Sequence, residues 1–334
     1  MEKGSVAICF VQQAISGLPT RGIDPVPVLR AAGIAPGLLD LPLARVAAER
    51  YGALWLGVAN VLDDEFFGQD SRRMKCGSFA MLCHAVTDSQ TFAQALDRIA
   101  RYFGLLLDDI GVRLEREGDL AALVLTAPTS HPPGVFAQET MLVMLHGLMS
   151  WLLRRRVPVR LAAFHYPEPA YSAEYRVMYS RQLAFSQPAT ALWFDAALLD
   201  QPVRHDARSL RAFLRDAPYN IVVKYSDRNS AAAKVRRLLR NLRPEAWPTF
   251  EEMAASLHLS ASSLRRRLMD EGASYQDLKD ALRRDLAIEA LSNTDLPVAE
   301  IAATLGFAEP GAFHRAFRRW TGSRPGAYRH TPQA

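Results

Sequence analysis

The chain has 334 residues, 49% hydrophobic and 22% charged, which at roughly 100 to 200 residues per domain predicts about two domains and excludes both wholesale disorder and a fibrous repeat. Its net charge of +5 sits at one end: residues 228–334 carry 17 basic side chains against 12 acidic ones, while residues 1–227 balance at 23 and 23. Cys9, Cys76 and Cys83 are the only cysteines, too sparse for a disulfide framework, so a reducing compartment, the cytoplasm, is expected.

The short apolar stretch Val6 to Val11 is too brief for a signal-peptide core. Ala44 to Leu62 reads as a helix through Leu54, Val58, Val61 and Leu62, and closes on Asp63-Asp64-Glu65. Thr91 is placed to cap a second helix to Leu107, whose stripe is Phe92, Leu96, Ile99, Phe103 and Leu106. Val112 to Leu114 and Ala121 to Leu125 flank the polar turn Glu115 to Asp119, a hairpin pattern. Val135 to Leu153 is the most apolar segment, but Gln138, Glu139 and His146 interrupt it, so a long buried helix is expected rather than a membrane span. Val159 to His165 and Leu192 to Phe194 are further strand candidates. An α+β domain over residues 1–220 follows, with a linker at 221–229.

This first region has no glycine-rich phosphate loop, zinc-protease helix or nucleophile elbow. Cys76, Cys83 and His84 lack the second closely spaced pair of a structural zinc site, so no metal and no cofactor are expected. Glu139 and His146, seven residues apart, would lie near one face of the long helix. They could meet a polar ligand or satisfy buried hydrogen bonds, and they are the ligand candidates of this region. Arg154 to Arg156 would complement the end of that helix.

The basic third contains a repeat. Thr249 to Leu268 reads as two short helices about a tight turn, with Thr249 and Glu252 forming a capping box and Ser260 capping the second helix. About 48 or 49 residues later the pattern returns over 297–319, Met253 and Ala254 matching Ile301 and Ala302, and Leu264 and Leu268 matching Phe313 and Phe317, with a register change of one residue in the turn. Each copy has the pattern of a helix-turn-helix, whose second helix can enter a DNA major groove. Tyr275 to Ser292 would join them as a helix of roughly 27 Å, and Ser230 to Leu242 would close an all-α domain spanning 230–334.

These residues carry a family resemblance. Ile301-Ala302, Leu305-Gly306-Phe307, Phe313, Arg315 to Trp320, Gly322, Pro325 and Tyr328-Arg329 make residues 230–330 similar to the DNA-binding domain of the AraC/XylS regulators. Gly22-Ile23-Asp24, Leu29 to Ile34 and Gly77-Ser78-Phe79 resemble the sensor and dimerisation domain of the arabinose-binding subgroup. Pro310-Gly311 and Ser323-Arg324-Pro325 depart from the common pattern.

The resemblance implies a cytoplasmic, homodimeric transcription regulator, commonly an activator. It would bind double-stranded DNA and RNA polymerase and answer to a small molecule held by the first domain. The alternative is a ligand-independent regulator whose first domain only dimerises or binds a partner protein. An enzyme fused to a DNA-binding module would need a reactive cysteine, and none of the three stands in such a motif, so no enzyme activity is expected. Carried onto the matching positions, the resemblance assigns base contacts to Ser262, Arg265 and Arg266 and, in the second copy, to Gly311, His314 and Arg315. Phosphate contacts fall to Arg267, Arg318 and Arg319. Arg265 is the first choice for a bidentate guanine contact.

Overall fold

The computed structural model describes residues 5–128, 132–223, 231–270 and 273–329. In chain order the first elements are β1 (Ser5–Ala7), α1 (Ile8–Ile15), α2 (Pro25–Ala31), β2 (Arg45–Ala47), α3 (Ala48–Leu62), α4 (Ser78–Thr87) and α5 (Phe92–Leu106). They are followed by β3 (Gly111–Glu117), β4 (Leu120–Thr126), α6 (Val135–Leu152), β5 (Val159–Ala163), α7 (Ala173–Met178), β6 (Leu183–Ala184) and β7 (Ala191–Asp195). Helices complete the chain: α8 (Ala207–Arg215), α9 (Tyr219–Val223), α10 (Ala231–Arg240), α11 (Phe250–Ser256), α12 (Ala261–Asp270), α13 (Tyr275–Asn293), α14 (Val298–Thr304) and α15 (Pro310–Thr321).

Contacts divide the chain into two compact units, one of Cys9–Ala32 with Tyr51–Tyr225, the other of Met1–Ile8, Gly33–Arg50 and Ser226–Ala334. The first is α+β. Its five-stranded sheet runs β3-β4-β7-β5-β6, antiparallel except for the β5–β6 pair. The expected hairpin is β3–β4, with Val112 opposite Leu125 and Gly118 at φ +57° in the turn, where a side chain would strain the backbone. Thr91 caps α5 by accepting from the Gln94 N–H at 3.3 Å, and Phe92, Leu96, Ile99 and Phe103 turn inward. Helix α6 is buried from Phe136 to Leu152, as its all-round apolar sequence requires. Among the described residues no helix is long and apolar enough to cross a membrane.

Three details differ from the sequence expectation. The helix expected from Ala44 starts at Ala48, because Arg45–Ala47 instead pairs antiparallel with Ser5–Ala7. The segment Gly33–Arg50, expected in the first domain, clusters with the C-terminal helices: the Arg45 N–H donates to the Tyr328 hydroxyl at 2.9 Å, and the Arg45 side chain donates to the Ser5 hydroxyl at 2.9 Å. Of Arg154 to Arg156, Arg155 reaches the Gln201 side chain and Arg156 the Val177 carbonyl, so these two guanidiniums tie α6's exit to other elements rather than cap it. Within the expected linker, Ile221–Val223 finish α9, and residues 224–229 lie outside the described residues.

The second unit is helical apart from the β1–β2 ribbon. Its first hydrophobic cluster joins Val235 and Leu239 of α10, Met253 and Ala254 of α11, Leu264 and Leu268 of α12, and Leu278 and Leu282 of α13. Ile288, Leu291, Ile301, Ala302, Phe313 and Phe317 are buried along the second copy. The 19-residue α13 spans the two copies over roughly 28 Å.

Candidate nucleic-acid interface

The two copies share the hydrogen bond that closes the turn, and their register shifts by one residue between the turn and the second helix. The Leu259 N–H donates to the Ala254 carbonyl at 3.0 Å, and 48 residues on the Phe307 N–H donates to the Ala302 carbonyl at 3.0 Å. Both turns place one residue in the left-handed region, His258 at φ +55° and Gly306 at φ +76°. The inward residues match as the repeat predicts, Met253 with Ile301 and Leu264 with Phe313, each fully buried. Small Ala254 and Ala302 sit where the helices cross, both buried.

In the first copy the capping box is formed at both hydrogen bonds: Thr249 Oγ1 accepts from the Glu252 N–H at 3.3 Å, and Glu252 Oε2 accepts from the Thr249 N–H at 2.8 Å. That backbone bond holds the Glu252 carboxyl below its usual pKa range. Ser260 Oγ accepts from the Ser263 N–H at 3.2 Å and lies 3.0 Å from the Ser262 hydroxyl, so Ser262 already has a partner within the cap. Ser262, Arg265, Arg266 and Met269 are exposed along one face of α12. Arg267, also exposed, lies about 100° round the helix from Arg266, toward a flank. The Arg265 guanidinium carbon stands 5.3 Å from the Phe250 ring centroid, and both residues line a groove of about 360 Å³ with Met269 and Tyr275. Stacking of this kind fixes the planar guanidinium before any ligand arrives.

In the second copy Gly311, His314, Arg315 and Arg318 are exposed on one face of α15. Arg318 shares this face, whereas Arg319, about 100° further round, is ion-paired to Asp280 of α13 at 3.0 Å. The family resemblance assigns both to phosphates, and the ion pair of Arg319 to a residue 39 positions away distinguishes the two. Two aromatic pairs, Phe313 with Phe317 and Phe317 with Tyr328, give centroid distances of 5.5 and 5.1 Å behind that face.

Arg283 of α13 links the copies, a role the sequence reading missed. Its guanidinium carbon lies 5.0 Å from the Trp247 ring before the first copy and 5.6 Å from the Phe307 ring in the second, while its Nε donates to the Leu305 carbonyl at 3.0 Å. Burial lowers its pKa, but an arginine stays charged throughout the working range.

The two ligand candidates of the first unit do not come together. His146 Nε2 lies 2.9 Å from the Val157 carbonyl, two turns of α6 beyond Glu139. Glu139 is 1% exposed and accepts from the Tyr175 hydroxyl, which lies 3.1 Å from the Tyr166 hydroxyl. The Tyr179 hydroxyl donates to the Glu139 carbonyl at 3.1 Å, and the Gln13 amide donates to the Tyr171 hydroxyl at 3.1 Å. Burial first, and the Glu139 charge with it, raises the phenols of Tyr51, Tyr171, Tyr175 and Tyr179 above their ordinary range. The tyrosines were not singled out from the sequence, although Tyr171, Tyr175 and Tyr179 recur at steps of four. Cys76 is exposed and Cys83 buried, and among the described residues no group of three or more His, Cys, Asp or Glu is placed to hold a metal ion.

Comparison with known proteins adds to this geometry. Residues 22–203 match the model of the arabinose-binding domain of AraC transcription regulators, and residues 253–331 match a helix-turn-helix domain model. The ornithine utilization regulator of Pseudomonas aeruginosa is 28% identical over 331 residues, covering 98% of this chain and 97% of that one. The regulator VirS of Mycobacterium tuberculosis is 25% identical over 320 residues, covering 92% and 91%. Among solved structures, the transcriptional regulator CdpR of P. aeruginosa covers 96% of this chain and 98% of its own at 19% identity, with a TM-score of 0.31. The relatives matched by sequence are transcription regulators, not enzymes.

Proposed function

Because the chain belongs to the AraC family of transcription regulators, we propose that it is a cytoplasmic, homodimeric, sequence-specific activator controlled by a small molecule bound in the sensor unit. The observation that carries the DNA half of this reading is the pair of matching helices α12 and α15, each with exposed arginines on one face, in the region that holds the whole net charge. On this reading Arg265, Arg266, His314 and Arg315 reach base edges, Ser262 and Gly311 allow close approach, and Arg267, Arg318 and Arg319 face phosphates. Arg319 would exchange Asp280 for a phosphate on binding. RNA polymerase is the partner through which DNA binding becomes transcription.

The effector site proposed is the buried cluster around Glu139, a carboxylate of α6 bonded to side chains of α7 and the residue that follows it. A ligand there changes output only as far as it favours one arrangement of the dimer over another. The name of the P. aeruginosa relative ties that protein to ornithine utilization, and ornithine is the first compound to test on this chain. Footprinting of the full chain on its own upstream region, with and without ornithine, tests the proposal. Protection of two major-groove segments about one helical turn apart is expected. Equal affinity for scrambled DNA would overturn the specific-reader half.

A further inference from the structure

We propose that a groove in the first unit, between the exit of α6, the start of β5 and the 3-10 helix Ala196–Asp200, binds a small organic dicarboxylate. It stands apart from the Glu139 cluster and does not depend on the reading of that cluster. The groove encloses about 330 Å³, with Arg155 and Arg160 as its charged lining and Pro158, Ala197 and Leu198 as its apolar part. That volume falls within the range of small-molecule sites.

Both arginines leave backbone that is locally fixed. Val159 of β5 pairs with Phe194 of β7 and Leu161 pairs with Trp193, so Arg160 is the extra residue of a β-bulge. A bulge takes its side chain out of the regular alternation of the strand. The Ser180 hydroxyl donates to the Arg160 carbonyl at 3.3 Å and holds the bulge in place. Arg155 follows Arg154, which lies at φ +54°, and its N–H donates to the Ser150 carbonyl at 3.0 Å. From these two anchors the side chains reach one cavity.

There they meet opposite ends of the 3-10 helix. Arg160 faces Asp195, the N-cap, at 3.7 Å, and the Arg155 guanidinium donates to the side chain of Gln201, the C-cap, at 3.2 Å. The first contact is longer than a hydrogen bond, and the Arg160 side chain is 64% exposed, so the pair contributes little and yields readily to a ligand. Asp195 is engaged elsewhere: its Oδ1 accepts from the Ala197 N–H at 3.0 Å. Gln201 is neutral. The groove therefore sets two cations against one carboxylate that already caps a helix. Each guanidinium presents a planar fork of donors that matches a carboxylate at two points. A single carboxylate would answer one end of the helix, and a dicarboxylate on a short methylene chain answers both, with its chain against Pro158, Ala197 and Leu198.

The test uses the full chain in chloride buffers of equal ionic strength near neutral pH, with four probes: glutarate, pentanoate, pentane-1,5-diol and sulfate. Thermal unfolding midpoints and titration calorimetry are the readouts. At saturation glutarate is expected to raise the midpoint by about 2 to 6 °C, and the other three to bind about tenfold more weakly or not at all. Arg155→Gln and Arg160→Gln replace exposed side chains, so the fold is retained, and each should weaken glutarate about tenfold or more. Asp195→Asn keeps the cap acceptor and removes the competing charge, so glutarate should bind it about threefold more tightly. A purely structural role for Asp195 would give no such gain. Failure of glutarate to bind the wild-type chain overturns the proposal. Pentanoate binding as tightly as glutarate overturns the two-ended clamp, and sulfate or the diol doing so overturns the dicarboxylate as the ligand class. Glutarate binding unchanged in both arginine variants overturns the site itself.

Discussion

The residue after Leu257 in the first helix-turn-helix is His258 at φ +55°, and the residue after Leu305 in the second is Gly306 at φ +76°. The same turn is therefore made with a strained side chain in one copy and without one in the other. Their cores differ in the same way: aliphatic Leu264 and Leu268 in the first, Phe313 and Phe317 in the second. Outside, α12 carries three consecutive arginines behind a serine cap, and α15 opens on Pro310-Gly311. What the copies share is backbone geometry and the positions that face inward. What they do not share is the chemistry presented outward, the part proposed to select a DNA sequence.

The largest test of this contrast is in the cores. Phe313→Ala removes a fully buried ring and should destabilise the second copy by about 3 to 5 kcal/mol, enough to unfold it. Footprinting should then lose one major-groove segment and retain the other. Loss of both would show that the two copies fold as one unit through α13.

The next effect is on DNA reading. Arg265→Ala and Arg315→Ala should each lose about 1 to 3 kcal/mol of binding and relax preference at one base pair. Arg267→Ala should weaken all sequences alike and reduce the salt slope by about one. Binding-site selection at several salt concentrations separates these patterns. If Arg265→Ala keeps full specificity, the stack on Phe250 holds that arginine away from the base edges and Arg266 is the reader.

A smaller effect is expected in the turns. Gly306→Ala puts a Cβ 3.3 Å from the Pro244 carbonyl oxygen at a positive φ and should destabilise the second copy by about 1 to 2 kcal/mol. His258→Gly relieves strain in the first copy but adds freedom to the unfolded chain, so a gain below about 1 kcal/mol is expected. Denaturant midpoints of the two variants should move in opposite directions.

The helix-turn-helix repeat was legible because its determinants are local: a cap three residues from its partner, small residues at a crossing, and apolar positions at helical spacing. The hairpin β3–β4 and the buried α6 were legible for the same reason. The β1–β2 ribbon was not, since each strand has three residues and its partner lies about 40 positions away. Periodicity has nothing to register over three residues. The Arg45 to Tyr328 bond spans 283 positions, and the Arg319 to Asp280 pair is equally invisible to spacing along α15. In the first unit, Glu139 stood out as a charge inside an apolar run, but the tyrosines that surround it come from other segments. Only the four-residue recurrence of Tyr171, Tyr175 and Tyr179 offered a clue.

The smallest expected difference between the copies is an acid response. Helix α11 begins with the Thr249–Glu252 capping box, whereas α14 follows Pro297 with no side-chain cap. The hydrogen bonds from Thr249 lower the Glu252 pKa in the folded chain, while the unfolded value is about 4.3. A lowered folded pKa means the unfolded chain binds the proton first, so the contribution is complete above the unfolded pKa and is lost as pH falls through the folded one. Acid should therefore loosen the start of α11 before it affects the start of α14. Amide exchange at Glu252 and Met253, compared with Glu300 and Ile301 between pH 6 and pH 3, should show protection falling in the first pair alone. Glu252→Gln should remove that pH dependence, because the box then holds no carboxylate to titrate.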